Sequence, residues 1–132
     1  GVELVEQPFP TGQDSILKTL DRVLPDCADE SCHDSKSINQ LLGLYDYVNI
    51  KLDKTGGLTE AIKVLNLAKK KGFKIMIGCM VGSSLSMMPA LLLHEYADYI
   101  DLDGPCFLKQ DQVDGLSYSE GLINLTSNMC WG

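Results

Sequence analysis

The sequence predicts an α/β fold built on a parallel β-sheet, on the basis of three observations. Short apolar runs alternate with longer segments in which apolar residues recur at helical spacing. The predicted strands begin near positions 2, 26, 47, 73 and 98, and this separation is typical of strand–helix units whose strands run parallel. The runs Val48–Ile50 and Ile75–Ile77 are largely apolar, as expected for strands covered by helices.

Five segments are predicted to be strands from their apolar and β-branched content and their flanking turn residues. In chain order they are Val2–Val5, Cys27–Ala28, Tyr47–Leu52, Phe73–Ile77 and Tyr99–Leu102. The second is short and follows Pro25. Beyond the fifth strand the pattern weakens, and a tail rich in Gly and Asp is expected to be irregular.

Four segments between these strands are predicted to be helices because their apolar residues share one helical face. They are Gln13–Leu24, Ser37–Leu44, Leu58–Lys71 and Ser84–Tyr96. The third has the clearest pattern, with Leu58, Ile62, Leu65 and Ala68 in phase. Gly72 follows it and three lysines lie in its last turn, which are typical signals of a helix C-terminus.

Size and charge exclude several classes of protein. The chain has 132 residues and a net charge of −7, so it is the size of one domain and a nucleic-acid backbone would be repelled. No apolar run reaches the roughly 18 residues that a membrane span requires, so no membrane contact is expected. The segment Gly1–Pro10 does not resemble a signal peptide, and because the first residue is not Met we expect a truncated chain or a fragment.

The five cysteines do not predict a disulfide framework. Their number is odd and no C-x-x-C occurs, so reduced thiols are expected. Reduced thiols favour a reducing compartment. We therefore predict a cytoplasmic location, although a targeting segment could precede Gly1.

The C-terminal end of each predicted strand carries residues that could form a site, most of them polar. They are Glu6, Asp29, Glu30, Lys51, Asp53, Cys79, Met80, Asp101 and Asp103. In (β/α)₈ barrels this edge of the sheet carries the active site. A doubly wound sheet is the other candidate fold, but no glycine-rich phosphate turn follows the first strand. Five strands are also too few to close a barrel of eight.

The residue types in this ring indicate a specific chemistry. The carboxylates of Glu6 and Asp29 are oxygen ligands of the kind that Mg²⁺ prefers. Lys51 follows on the next strand, and a half-buried lysine near a cation can lose its proton and act as a base. Together they suit the removal of a proton next to a carboxylate, through an ene-diolate. The alternative is that the carboxylates are solvated surface groups and that Lys51 pairs with Asp53.

Five segments carry a resemblance to a known family. They are Val5–Pro8 (VEQP), Ala28–Ser31 (ADES), Asn49–Gly57 (NIKLDKTGG), Gly78–Ser84 (GCMVGSS) and Asp101–Pro105 (DLDGP). In this order they resemble the dipeptide epimerases of the enolase superfamily, of the L-Ala-D/L-Glu epimerase type. The resemblance extends from Val2 to about Tyr118. It implies that residues 1–132 are the C-terminal part of a TIM-type (β/α) barrel, strands four to eight, without the N-terminal capping domain and first barrel strands.

The resemblance also implies roles for seven residues. Glu6 and Asp29 match two Mg²⁺ ligands, and Lys51 matches an acid/base lysine that transfers the α-proton of the C-terminal residue of a dipeptide. Asp101 and Asp103 match the pair that holds the dipeptide ammonium. The remaining two, Met80 and Val81, match positions lining the side-chain pocket.

Other readings stay open. Muconate cycloisomerases and o-succinylbenzoate synthases share the metal and the lysine, but their substrates have no α-ammonium for Asp101 and Asp103 to bind. The family's other lysine and its first metal ligand precede Gly1, so the chain alone is expected to be inactive. A third possibility is a non-catalytic half-barrel that acts through a partner chain, because an open sheet has unpaired edges. The expected partners are a small dipeptide substrate and either a second copy of the chain or the missing N-terminal half.

Overall fold

A computed structural model describes residues 1–125 of the chain. Within this range the strands are Val5–Glu6 (β1), Asp26–Ala28 (β2), Tyr47–Lys51 (β3), Lys74–Gly78 (β4), Tyr99–Ile100 (β5), Ser117–Ser119 (β6) and Leu122–Asn124 (β7). The α-helices are Leu52–Thr55 (α1), Leu58–Lys70 (α2) and Ser84–Leu91 (α3). Short 3₁₀ helices span Asp14–Thr19, Ile38–Leu41, His94–Tyr96 and Gly104–Phe107.

Strands β1 to β5 form one parallel sheet in which every strand lies beside its neighbour in the sequence. A doubly wound sheet would reverse its strand order at a switch point, and these five strands contain no such reversal. The unbroken order is that of a (β/α) barrel. The prediction of a partial barrel with five parallel strands is therefore confirmed.

The outer face of the sheet packs against the helices. Strand residues alternate between the two faces, and Val48, Ile50, Ile75 and Ile77 belong to the main hydrophobic core. Helix α2 covers them with four fully or nearly fully buried residues, which are Ala61, Val64, Leu65 and Ala68. The predicted apolar face of this helix was wrong at Ile62, which is 41% exposed, because the buried stripe lies on the Ala61 and Val64 side.

The inner face of the sheet changes character along the strands. Cys27, Tyr47 and Met76 form a small buried cluster against Tyr99. Two residues further along β3 the same face carries Asn49, and then Lys51 at the strand's end. The apolar cluster thus fills the inner face toward the N-terminal ends of the strands. The polar groups lie on the same face toward the C-terminal ends.

The first predicted helix was wrong. Gln13–Leu24 contains only the 3₁₀ helix Asp14–Thr19, and the chain is extended at Leu20. Arg22 is fixed instead by ion pairs with Asp26 and Asp46, at 3.0 and 2.9 Å. Proline at position 25 also disfavours helical backbone in the residue before it. The apolar spacing alone could not reveal these constraints.

The other departures concern helix length and the tail. The predicted helix Ser37–Leu44 is reduced to the single turn Ile38–Leu41, and the predicted helix Ser84–Tyr96 ends at Leu91 and resumes as the 3₁₀ helix His94–Tyr96. The tail was expected to be irregular, but β6 and β7 form an antiparallel hairpin. Its turn residues Glu120 and Gly121 both have positive φ, as in a type I′ turn.

The described residues also bear on the cysteines and on membrane-spanning helices. Cys27, Cys32, Cys79 and Cys106 are free thiols, while Cys130 lies outside the described residues. Across residues 1–125, no helix combines the length and apolar character required to traverse a bilayer.

Candidate active site

Two lysines hold the side chain of Asp29. Lys51, the last residue of β3, places Nζ 2.6 Å from Asp29 Oδ2, and Lys54 of α1 places Nζ 2.5 Å from Asp29 Oδ1. Helix α1 begins directly after β3, so one continuous segment delivers both amines to the end of β2. Each oxygen of this nearly buried carboxylate therefore has its own cationic partner.

The second carboxylate of the site, Glu6, lies within reach of the same lysine. Asn49 Nδ2 donates to Glu6 Oε1 at 2.6 Å, and Lys51 Nζ lies 3.9 Å from that oxygen. Asn49 and Lys51 are two apart on β3 and share the inner face. The Lys51 ammonium thus lies between the carboxylates of Glu6 and Asp29. Glu6, Asp29, Asn49, Lys51 and Lys54 are called the strand-end cluster below.

The charges in this cluster shift the pKa values of its members. Burial acts to raise the pKa of Asp29, but hydrogen bonds from Lys51 and Lys54 outweigh it and the net pKa is lowered. Burial acts to lower the pKa of Lys51, but the hydrogen bond and charge of Asp29, with the charge of Glu6, leave it raised. In this arrangement Lys51 is therefore the ion-pair partner of Asp29 and, at a longer distance, of Glu6.

Asp101 and Asp103 lie beside the cluster. They follow β5 instead of lying on it, contrary to the prediction that the fifth strand extends to Leu102. Burial raises the pKa of Asp101, and the charge of the neighbouring Asp103 carboxylate raises it further. Glu6 adds to this effect and Lys51 opposes it, which indicates that the aspartates and the cluster share one electrostatic environment.

Met80 and Val81 follow β4 and are largely solvent-exposed. Their exposed fractions are 52% and 67%. They are on the same edge of the sheet as the strand-end cluster, because they follow the C-terminal end of β4.

Three residues that organise this site, Asn49, Lys54 and Gln7, have no role predicted from the sequence. Asn49 could have been found from its spacing, because it shares the inner face with Lys51. Lys54 belongs to the Asn49–Gly57 segment, but its amine reaches Asp29 only because α1 is a single short turn. Gln7 has a left-handed backbone (φ 40°) and its Oε1 accepts from the backbone N–H groups of Asp29 and Ser31; no sequence signal predicts this conformation.

The cluster fits a cation. Two carboxylates converge on one positive group, the Lys51 ammonium, and carboxylate oxygens are ligands that Mg²⁺ favours. Among the described residues the buried Asn49 Oδ1 also has no hydrogen-bond partner, so an oxygen acceptor is left over beside Glu6. In residues 1–125 no group of three or more His, Cys, Asp and Glu side chains is arranged to hold a metal. Glu6 and Asp29 are thus two candidate oxygen ligands, and the Lys51 ammonium contacts the Asp29 Oδ2 atom that a cation would share.

The fold and the strand-end cluster together define the class of protein to which the chain belongs. Successive parallel strands with carboxylates and a lysine at their C-terminal ends form a segment of a (β/α) barrel at its functional end. Residues 1–128 match the family described as enolase C-terminal domain-like. The chain belongs to that family.

Two curated relatives show which enzymes the chain is similar to. It is 49% identical over 131 residues to an N-acetyl-D-glutamate racemase from Pseudoalteromonas sp, covering 99% of this chain and 42% of the relative. It is 44% identical over 125 residues to the L-Ala-D/L-Glu epimerase of Escherichia coli (strain K12), covering 95% and 39%. The chain thus spans about two fifths of the length of these relatives.

Solved structures agree with the sequence relatives. An enolase family member from Agrobacterium tumefaciens with homology to dipeptide epimerases, with bound sodium and L-Ala-L-Glu, has a TM-score of 0.92 at 44% identity, covering 99% of this chain and 40% of that one. A dipeptide epimerase from Methylococcus capsulatus, complexed with Mg and L-Arg-D-Lys, has a TM-score of 0.84 at 32% identity, covering 96% and 38%. The resemblance to dipeptide epimerases is confirmed.

Proposed function

We propose that this chain contributes the C-terminal part of the active site of an amino-acid-derivative epimerase of the L-Ala-D/L-Glu epimerase type. The observation that carries the proposal is the position of the Lys51 ammonium between the carboxylates of Glu6 and Asp29. The reaction would be a 1,1-proton transfer at the α-carbon of the C-terminal residue of a dipeptide. Relatives named epimerases and racemases support this reaction type.

Glu6 and Asp29 would hold a Mg²⁺ ion. The structural relative that contains Mg together with a dipeptide supports this choice of metal. When bound, the ion would supply positive charge next to the substrate carboxylate, where negative charge accumulates as the α-proton leaves. Glu6 and Asp29 supply two ligands, so the remaining protein ligand would come from outside the described residues.

Lys51 would move the proton. Its amine is at the end of β3, between the two proposed ligands, and so on the edge of the sheet where barrel enzymes bind substrate. Once released from Asp29 Oδ2, the amine would exchange a proton with the substrate α-carbon. An epimerase needs a second acid/base group on the opposite face of that carbon, which would also come from the rest of the protein.

Asp101 and Asp103 would bind the α-ammonium of the dipeptide. An ammonium ion is the natural partner of two adjacent carboxylates, and its charge would oppose the combined effect of burial and the Asp103 charge that raises the pKa of Asp101. Met80 and Val81 would contact the substrate side chain, and their exposure leaves them free to do so. The cytoplasmic location and a possible homo-oligomer remain predictions.

Hydrogen–deuterium exchange at the substrate α-carbon tests the role of Lys51. The E. coli relative provides a chimera in which its part preceding the matched region is placed before Gly1. The chimera is expected to exchange the α-proton of L-Ala-L-Glu in D₂O, as followed by ¹H NMR. Lys51→Met should lower the rate by roughly 10²–10⁴-fold, because the group that moves the proton is lost.

Lys63→Met is the matched control, because Lys63 lies on α2, is 63% exposed and pairs only with Glu60 among the described ion pairs. It should exchange at the parental rate. Parental exchange in Lys51→Met would instead remove this lysine from the mechanism.

A second candidate function is racemisation of an N-acylated amino acid. The 49% identical relative is named for N-acetyl-D-glutamate, a substrate without an α-ammonium. Cycloisomerase and o-succinylbenzoate-synthase substrates also lack this group. The candidates therefore differ in what Asp101 and Asp103 would bind.

The double variant Asp101→Asn/Asp103→Asn distinguishes these candidates. If the substrate is a dipeptide, KM for L-Ala-L-Glu should rise at least about tenfold in the chimera, because charge-assisted hydrogen bonds to the ammonium are lost. KM for N-acetylglutamate should change little in the same protein. An unchanged KM for the dipeptide would favour the N-acyl amino acid.

A further inference from the structure

Lys54 is the most enclosed cation of the strand-end cluster. Its side chain is 8% exposed, compared with 14% for Lys51. Its amine donates to Asp29 Oδ1 at 2.5 Å, to the backbone oxygen of Asp29 at 2.5 Å and to the backbone oxygen of Asn49 at 3.0 Å. An ammonium has three donors, and each of them has an acceptor.

These three contacts join two strands and one side chain. One backbone oxygen belongs to Asp29, directly after β2, and the other to Asn49 in the middle of β3, while the third acceptor is one oxygen of the Asp29 carboxylate. With Oδ1 held by a buried amine and the backbone fixed on both sides, the carboxylate has little freedom to rotate. Its other oxygen, Oδ2, is left pointing at Lys51 and the centre of the site.

The two lysines therefore have different relations to a bound cation. Lys51 contacts the oxygen that a metal would need, so it competes with the metal. Lys54 contacts the opposite oxygen, so it does not have to move when a metal binds. We infer that Lys54 is a positioning residue that fixes Asp29 with a single oxygen, Oδ2, available to a cation. This inference rests on the proposed function, because it assumes that Asp29 is a metal ligand.

A simple charge effect and a positioning effect predict opposite results. Removing a positive charge next to a carboxylate should by itself tighten cation binding. Removing the group that orients a metal ligand should weaken cation binding instead. The loss is about tenfold or more for groups that support metal ligands. Lys54→Met keeps the approximate length of the side chain and removes both the charge and the donors.

Mn²⁺ binding, followed by EPR of the free ion, is the test, in both the 132-residue chain and the chimera. We expect Lys54→Met to bind Mn²⁺ at least about tenfold more weakly than the parent, and Lys51→Met to bind it more tightly. Lys63→Met should match the parent. If Lys54→Met does not fold, Lys54→Gln should show weakening in the same direction.

Three outcomes would overturn the inference. Tighter binding in Lys54→Met would show that only its charge matters, and unchanged affinity with a lower melting temperature would show a purely structural role. Either result, with α-proton exchange intact in the parent chimera, would leave the proposed function standing. Absence of Mn²⁺ binding in both parent proteins would remove the metal from the proposed function and the inference with it.

Discussion

Gly78 shows how a single residue without a side chain determines the geometry of the site. It pairs in register with Lys51, and the amide of Asn49 lies across its Cα. A Cβ at this position would come within 2.5 Å of Asn49 Oδ1 and 2.6 Å of Asn49 Nδ2. The absence of a Cβ therefore permits the orientation in which Asn49 donates to Glu6.

Replacing this glycine should displace the amide. Gly78→Ala is expected to cost about 1–3 kcal/mol of stability, as for other overpacked positions, because Asn49 must leave its 2.6 Å hydrogen bond with Glu6. The measurement is urea denaturation of the parent and the variant.

Asn49→Ala provides the matched background for this measurement. With the amide removed, the same Gly78→Ala substitution should cost less than half as much, since the added methyl group no longer meets the Asn49 amide. An equal cost in both backgrounds would contradict the steric explanation.

At the scale of elements, the sheet was predictable and the connections were not. Each of the five parallel strands overlaps its predicted segment, because buried strands need apolar or β-branched residues at consecutive positions. Helix α2 was also found nearly complete, since Leu58–Lys70 is long enough for its period to be clear. The shorter helical segments contain too few turns for spacing to distinguish an α-helix from a 3₁₀ turn.

The same contrast applies to the candidate site. The ends of parallel strands meet at one edge of the sheet, so Glu6, Asp29 and Lys51 could be grouped from their positions alone. The contact between Lys54 and Asp29 depends on α1 being a single turn that ends at Gly56, where φ is 75°. Such a contact is set by local backbone geometry, which the order of residue types does not specify.

At the scale of the whole molecule, the five-stranded sheet leaves two edges open. Strands β1 and β5 each have one hydrogen-bonded neighbour in the described residues. Beside β5 lies an apolar groove of about 780 Å³ between α3 and the β6–β7 hairpin. Leu92, Ile100 and Leu122 line it and are 56%, 43% and 63% exposed. Unpaired edges next to apolar surface favour association with another chain.

The 132-residue chain by itself is therefore expected to self-associate. Its elution volume in size-exclusion chromatography should decrease as protein concentration rises, and the chimera should show less of this dependence, because added barrel strands can pair with the open edges. Ile100→Lys should reduce the association, since a lysine on an edge strand disfavours further strand pairing.

Ile62→Lys is the matched control: Ile62 is similarly exposed, at 41%, but lies on α2 away from either edge. Equal effects of the two substitutions would mean that association does not involve the β5 edge, and a monomer at all concentrations would mean that the half-barrel stabilises its edges without a partner.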